Sequence, residues 1–242
     1  FLLPSLLTLS SMMAGFYSII QSVKYHEAGD LLSLRYACLV ILLAMILDGL
    51  DGRVARLTQT QSDFGAQLDS LSDMVSFGFA PGFLIYYSCL NEVSLGRLTW
   101  LVCFVLPACA ALRLARFNSQ DENINKVYFR GLPSPIGAGV IACYFWLISI
   151  EPWMQHELYF WIGLLASLPI ALLEVSRLRY RSFKDFDVRE RVSFVVLLSL
   201  LALLVLVVLF PSLVLLIIFL VYVSTGPLSY CYFRLTFKRK NK

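Results

Sequence analysis

Charge is scarce in this sequence. Of its 242 residues only 15% are Asp, Glu, Lys or Arg, where a soluble domain usually carries about a quarter. A net charge of +4 is too small to argue for a nucleic-acid partner. Histidine occurs twice, as His26 and His156, and both fall in short polar loops where surface placement accounts for them. The six cysteines (Cys38, Cys89, Cys103, Cys109, Cys143 and Cys231) are scattered through apolar runs with no CxxC pair. That spacing argues against a disulfide framework or a zinc site and reads as small buried hydrophobes. No low-complexity tract, clear internal repeat or soluble domain is visible. Residues 1–23 lack both a charged n-region and an A-x-A cleavage site, so a retained helix is expected there rather than a signal peptide.

What is abundant is apolar surface. Hydrophobic types make up 59% of the chain and mean hydropathy is +0.75, which is the composition of an integral membrane protein. Eight apolar segments succeed one another at about 2–23, 31–56, 63–90, 97–117, 134–150, 157–175, 192–210 and 212–232. The expected fold is therefore all-α, one transmembrane domain over residues 1–242 with about eight spans, the last two forming a hairpin that turns at Pro211–Ser212. With the N-terminus in the cytoplasm, the alternation puts all but Lys24, Arg35 and Arg97 of the 20 basic residues on the cytoplasmic side. This obeys the positive-inside rule and would fail if one span were miscounted. The basic stretch SRLRYRSFKDFDVRER then lies on the cytoplasmic side, where topology control accounts for it.

Against this background one stretch is anomalous. LDGLDGRVARLTQTQSDFGAQLDSLSDM places Asp48, Asp51, Asp69 and Asp73 around the turn between the second and third spans. Asp48 and Asp51 are three apart and Asp69 and Asp73 four apart, so each pair shares a helix face. Carboxylates converging at a membrane edge repel one another and resist desolvation, so acidic residues there mark function. Arg53 and Arg56 offset part of the charge. An all-oxygen carboxylate set suits Mg²⁺, Mn²⁺ or Ca²⁺, and two such ions can clamp a phosphate during displacement. Gly49, Gly52 and Gly65 remove side chains where a bulky ligand must approach the backbone. Asp63, which opens the third span, is expected to act as its N-cap.

The pattern D-x2-D-G-x2-A-R-x8-G-x3-D-x3-D is met at every fixed position, by Asp48, Asp51, Gly52, Ala55, Arg56, Gly65, Asp69 and Asp73. On these residues the chain resembles the CDP-alcohol phosphotransferases. The resemblance implies transfer of a substituted phosphate from a CDP-linked lipid or alcohol to an acceptor hydroxyl with release of CMP, a six-helix membrane core (about residues 1–175, with further helices at about 190–232) and a homodimer. It also implies that Asp48, Asp51, Asp69 and Asp73 bind two divalent ions, and that Asp73 takes the acceptor proton. Gly52, Arg56 and Gly65 match positions of the CDP pocket. LPSLLTL (residues 3–9) resembles the P-N-x-x-T opening of many members, which adds Thr8 and Ser5, the latter standing where Asn is usual.

RLARFN (113–118) and FRGLPSPIGAG (129–139) resemble the bacterial phosphatidylserine synthase subgroup. The substrates that resemblance implies are CDP-diacylglycerol and L-serine, in a bacterial-type inner membrane with the site facing the cytoplasm. From the residues alone, Arg113 and Arg116 can hold a lipid phosphate or a serine carboxylate, or simply anchor the cytoplasmic end of their span. Lys126 and Arg130 share this ambiguity. Asn118 can donate to an acceptor or cap its helix, and GLPSPIGAG can admit a lipid or pack a helix tightly. The same chemistry with glycerol 3-phosphate, an inositol phosphate or choline is the alternative. A cation transporter would instead spread its polar residues through the bilayer depth, whereas the acids here gather near one face.

Overall fold

The computed structural model describes residues 2–60, 62–90, 98–119, 128–181 and 194–240, with the backbone alone described at 128–130, 179, 181, 194–197 and 231–240. The helices are α1 (Leu2–Ala28), α2 (Leu31–Leu57), α3 (Asp63–Asp73), α4 (Ala80–Cys89), α5 (Thr99–Asn118), α6 (Ser134–Ile150), α7 (Glu157–Val175), α8 (Phe194–Leu209) and α9 (Pro211–Lys240). Because a single π-helical turn, Met74–Phe79, joins α3 to α4, residues 63–89 form one continuous helical path. Each of the eight apolar segments thus has its helical counterpart. Five helices are long and apolar enough to cross a membrane, and α6 and residues 198–209 are shorter apolar helices. The outer faces carry Leu43, Ile46, Leu172, Leu204 and Val208 exposed, as a lipid-facing surface requires, while Leu34, Ile41, Phe77, Leu84, Phe145 and Leu164 fill the interior. This is an all-α integral membrane protein.

Polar side chains set the helix boundaries. α1 runs on through KYHEA and stops at Gly29, whose positive φ of 65° closes the helix while its N–H donates to the Tyr25 carbonyl at 2.8 Å. His26 consequently lies in the last turn of α1, its ring 5.6 Å from that of Tyr87, rather than in a loop. His156 is an exposed N-cap position of α7. Asp30 caps α2 by accepting from the Leu32 and Ser33 N–H groups, and the Leu32 bond holds its carboxyl below the usual carboxylate range. At the start of α3 the cap is Ser62, whose Oγ accepts from the Gly65 N–H at 3.1 Å. Asp63 is therefore the first helical residue and not the N-cap; the hydroxyl one position earlier reaches the free N–H, and Asp63 sits where a negative charge meets the positive end of the helix.

α1, α2 and the α3–π–α4 path pack through small residues. Ser72 Oγ donates to the Thr8 carbonyl (3.0 Å), Ser76 Oγ to that of Ser11 (2.9 Å), and Ser11 Oγ to that of Ala44 (3.0 Å). Gly15 sits directly under the π turn, where a Cβ would stand 2.6 Å from Ser76 Cα. The π turn acts as a one-residue insertion and rotates α4 by roughly 100° relative to a continuous α-helix. Asp69 and Asp73 can thus face the polar end of the bundle while Phe77, Leu84 and Ile85 still face its core. Gly15→Ala is expected to force α1 off this turn at about 1–3 kcal/mol, read as a fall of several degrees in the unfolding midpoint in detergent.

α6 runs through the interior, with Ile150 at its end its one exposed residue. Its small residues allow close packing: a Cβ on Gly139 would meet the Phe219 ring of α9 at 2.8 Å, and one on Gly137 would meet Glu174 Oε1 of α7 at 2.7 Å. GLPSPIGAG thus works as a packing element here. At the same end of the bundle, the connections after α5 and α7 pair as a two-stranded antiparallel ribbon, β1 (Tyr128–Arg130) and β2 (Arg179–Arg181), with Phe129 opposite Tyr180. Tyr180 is fully buried against Gly226 of α9 and donates to the Val223 carbonyl at 3.2 Å, which ties α9 to the core. The break between α8 and α9 falls at Phe210, and α8 is exposed along nearly its whole described length. Cys38, Cys89, Cys103, Cys109 and Cys143 are buried thiols, with no disulfide among the described residues; the Cys231 side chain lies outside the described residues.

Candidate active site

The C-terminal half of α2 and helix α3 bring their carboxylates together at one end of the bundle. One oxygen from each of Asp48, Asp51 and Asp69 lies within 4.8 Å of the other two. Three carboxylate oxygens this close, on half-buried or buried side chains, form a donor set of the kind hard divalent cations take. The set also fits on electrostatic grounds, because no described cationic side chain belongs to it. Asp51, 5% exposed, receives the Thr8 hydroxyl at 2.7 Å, so the first turns of α1 orient one of the three. Asp73 lies one turn deeper than Asp69 and is not part of this tight group. Its carboxyl meets that of Asp48, and its Oδ1 is buried without a hydrogen-bond partner among the described residues.

Beside the trio opens a cavity of about 420 Å³ between the N-terminus of α1 and the α2–α3 turn. Its walls include Ser5, Thr8, Asp51, Gly52, Arg56, Gly65 and Asp69. All five residues picked out in the sequence for the CDP-lipid pocket are thus brought to one space. At Gly52 no atom lies within 4 Å of where a Cβ would be, so the missing side chain is open room on the cavity side; at Gly65 a Cβ would come 3.3 Å from Ser62 Oγ. A smaller, apolar-lined hollow between α4 and α5, around Phe83, Trp100 and Phe104, lies away from the carboxylates.

The cationic residues divide differently. Arg113, on the last turns of α5, lies within electrostatic range of Asp73 and Asp48 on one side and of Glu174 on the other. Its Nη1 donates to Ser134 Oγ at 2.9 Å. Arg116 donates to the Val175 carbonyl at 2.9 Å and so closes the C-terminus of α7. Asn118 donates to Ser70 Oγ at 3.1 Å, which ties the end of α5 to α3; among the described residues it makes no capping bond. Lys126 lies outside the described residues, and for Arg130 only the backbone, in β1, is described. Of the five residues suggested for the acceptor, Arg113 lies within electrostatic range of Asp73 and Asp48, and Asn118 is bonded to Ser70, which follows Asp69 on α3. The sequence reading passed over Glu174 and Ser134. Glu174 is a lone acid in an apolar run, ALLEVS, a weak signal that gains weight only once its neighbours are known.

The sequence profile of the CDP-alcohol phosphatidyltransferase family matches residues 1–173, and the chain belongs to that family. It is accordingly an enzyme of the CDP-alcohol phosphotransferase class. A Helicobacter pylori protein named CDP-diacylglycerol–serine O-phosphatidyltransferase is 33% identical over 201 residues, covering 83% of this chain and 80% of the relative. A Methanocaldococcus jannaschii protein of the same name is 38% identical over 146 residues, 60% of this chain and 64% of the relative. A Methanothermobacter thermautotrophicus archaetidylserine synthase is 38% identical over 145 residues, 59% and 57% of the two chains.

Proposed function

We propose that the protein transfers the phosphatidyl group of CDP-diacylglycerol to the hydroxyl of L-serine, giving phosphatidylserine and CMP. The observation that carries the reading is the Asp48–Asp51–Asp69 cluster opening onto a cavity lined by Ser5, Thr8, Gly52, Arg56 and Gly65. The names of the relatives support serine as the acceptor.

In this reading the CDP moiety enters the cavity, where Gly52 and Gly65 leave room and Arg56 faces the diphosphate. Asp48, Asp51 and Asp69, with Asp73 at the back of the set, would hold two divalent ions, Mg²⁺ or Mn²⁺. Such ions, when bound, neutralise the pyrophosphate and the departing CMP. Asp73 accepts the proton of the serine hydroxyl, whose oxygen forms the new bond to the phosphorus bearing diacylglycerol as the bond from that phosphorus to the CMP oxygen breaks. Arg113, Arg116 and Asn118, together with Lys126 and Arg130 from the sequence reading, are the residues assigned to the acceptor or the lipid phosphate. The catalytic core spans about residues 1–175, with α8 and α9 added to it, and the active unit is a homodimer. The site faces the cytoplasm from the inner membrane, in keeping with the placement of the basic residues.

Purified protein given CDP-diacylglycerol, Mn²⁺ or Mg²⁺ and radiolabelled serine should yield labelled phosphatidylserine and one CMP per lipid formed. CMP release with glycerol 3-phosphate, an inositol phosphate or choline in place of serine would reassign the acceptor.

A further inference from the structure

Glu174 is the most anomalous side chain outside the aspartate cluster. It is fully buried, and neither carboxylate oxygen has a hydrogen-bond partner among the described residues. The Ser134 hydroxyl lies beside it without regular hydrogen-bond geometry, and a buried carboxyl so weakly engaged is costly unless a nearby charge compensates it. The surrounding chain is built close around it. Gly131, at φ +86°, brings its backbone against the Glu174 carbonyl where a Cβ would stand 2.1 Å away, and Gly137 leaves room for Oε1. The Leu132 N–H donates to the Leu173 carbonyl at 3.0 Å. The stretch after β1 thus wraps the C-terminus of α7 and holds Ser134 beside the Glu174 carboxyl.

Arg113 stands between this acid and the aspartates, and feels Glu174, Asp73 and Asp48 together. A guanidinium facing several carboxylates would, with nothing behind it, collapse onto them and occupy the oxygens a cation needs. It does not: its Nη1 hydrogen bond goes backwards, to Ser134. We infer that Glu174 is a positioning residue, which with Ser134 holds Arg113 back from the aspartates so that its guanidinium meets the carboxylate of the incoming amino-acid acceptor. Glu174 acts through Arg113 and does not touch the reacting atoms. The inference rests on serine being the acceptor. It gives the buried acid a role to which residues 131–137 contribute beside their packing, since they supply Gly131, Ser134 and Gly137.

The test is steady-state kinetics on the full-length protein in detergent–lipid micelles, with each substrate varied in turn. Glu174→Gln keeps the size of the side chain and removes its charge. It is expected to raise the KM for serine about tenfold while the KM for CDP-diacylglycerol and kcat stay within about twofold. Ser134→Ala should raise the serine KM roughly threefold, and the double variant should be no worse than Glu174→Gln, because the two act on one guanidinium. An unchanged serine KM, a parallel loss for both substrates, or additive effects in the double variant overturns the inference. If Glu174→Gln fails to fold, shown by loss of its unfolding transition, Ser134→Ala decides alone: a serine KM equal to wild type overturns it. A wild-type protein that ignores serine overturns the acceptor assignment and this inference with it. A wild type that uses serine, beside a Glu174→Gln variant with the same serine KM, overturns this inference only.

Discussion

Replacing Asp73 by asparagine is expected to lower CMP release by at least ~10³-fold while CDP-diacylglycerol still binds. General-base catalysis contributes about 10²–10⁴-fold when the base is held within hydrogen-bond reach of its proton. Asp73 is the acid best placed for that task. It projects from the last turn of α3, immediately before the π turn, with Oδ1 buried and unengaged among the described residues. Its carboxyl meets that of Asp48, but it is not one of the three closely grouped oxygens of Asp48, Asp51 and Asp69 and does not line the adjoining cavity. Asparagine keeps the shape but accepts no proton, so the loss should fall on kcat. Binding of the lipid nucleotide, measured separately by equilibrium binding, should change by less than about threefold, because the residues lining its cavity are untouched. A variant that still turns over at the wild-type rate would remove Asp73 as the base.

The helical layout was legible because in a bilayer it follows from length and hydropathy, and each apolar segment became a helix or a helical path. The aspartates were legible because acids are conspicuous in an apolar chain, and helical spacing alone places Asp48 with Asp51 and Asp69 with Asp73. The features that stayed hidden depend on contacts between distant segments. The π turn has no local signature, since MVSFGF reads as ordinary helix; the partner it packs on, Gly15 under Ser76, lies some sixty residues earlier. The β1–β2 ribbon pairs three-residue strands from two separate connections, too short to read as strands in advance. Arg116 and Asn118, read as substrate-facing or capping, spend their described hydrogen bonds on the end of α7 and on Ser70, because neighbouring helices offer partners that a single sequence cannot show. Glu174 was missed for the same reason: its meaning lies in Arg113, Ser134 and two glycines of other segments.

Asp69→Asn should separate the two consequences of gathering acids at one point. Without metal, the Asp48, Asp51 and Asp69 carboxylates repel one another across less than 4.8 Å, a strain that a neutral amide at position 69 relieves. With metal, the same three oxygens form the seat of the cation, and the amide weakens it. The two unfolding curves should therefore cross. In chelator, Asp69→Asn should melt higher than wild type; in saturating Mn²⁺ or Mg²⁺ it should melt lower, because a ligand that binds only the folded state stabilises it in proportion to its affinity. The metal concentration giving half-maximal activity should rise by on the order of tenfold, about 1.4 kcal/mol of lost cation affinity. Turnover at saturating metal should fall on the order of a hundredfold, about 2.7 kcal/mol, as the polarisation of the phosphate weakens. Each readout isolates one physical effect: the chelated melt tests whether the carboxylates are crowded, and the titration tests whether a cation is what they crowd around. An unshifted titration, with the chelated variant no more stable than wild type, would show that the three acids neither strain the empty protein nor hold an ion.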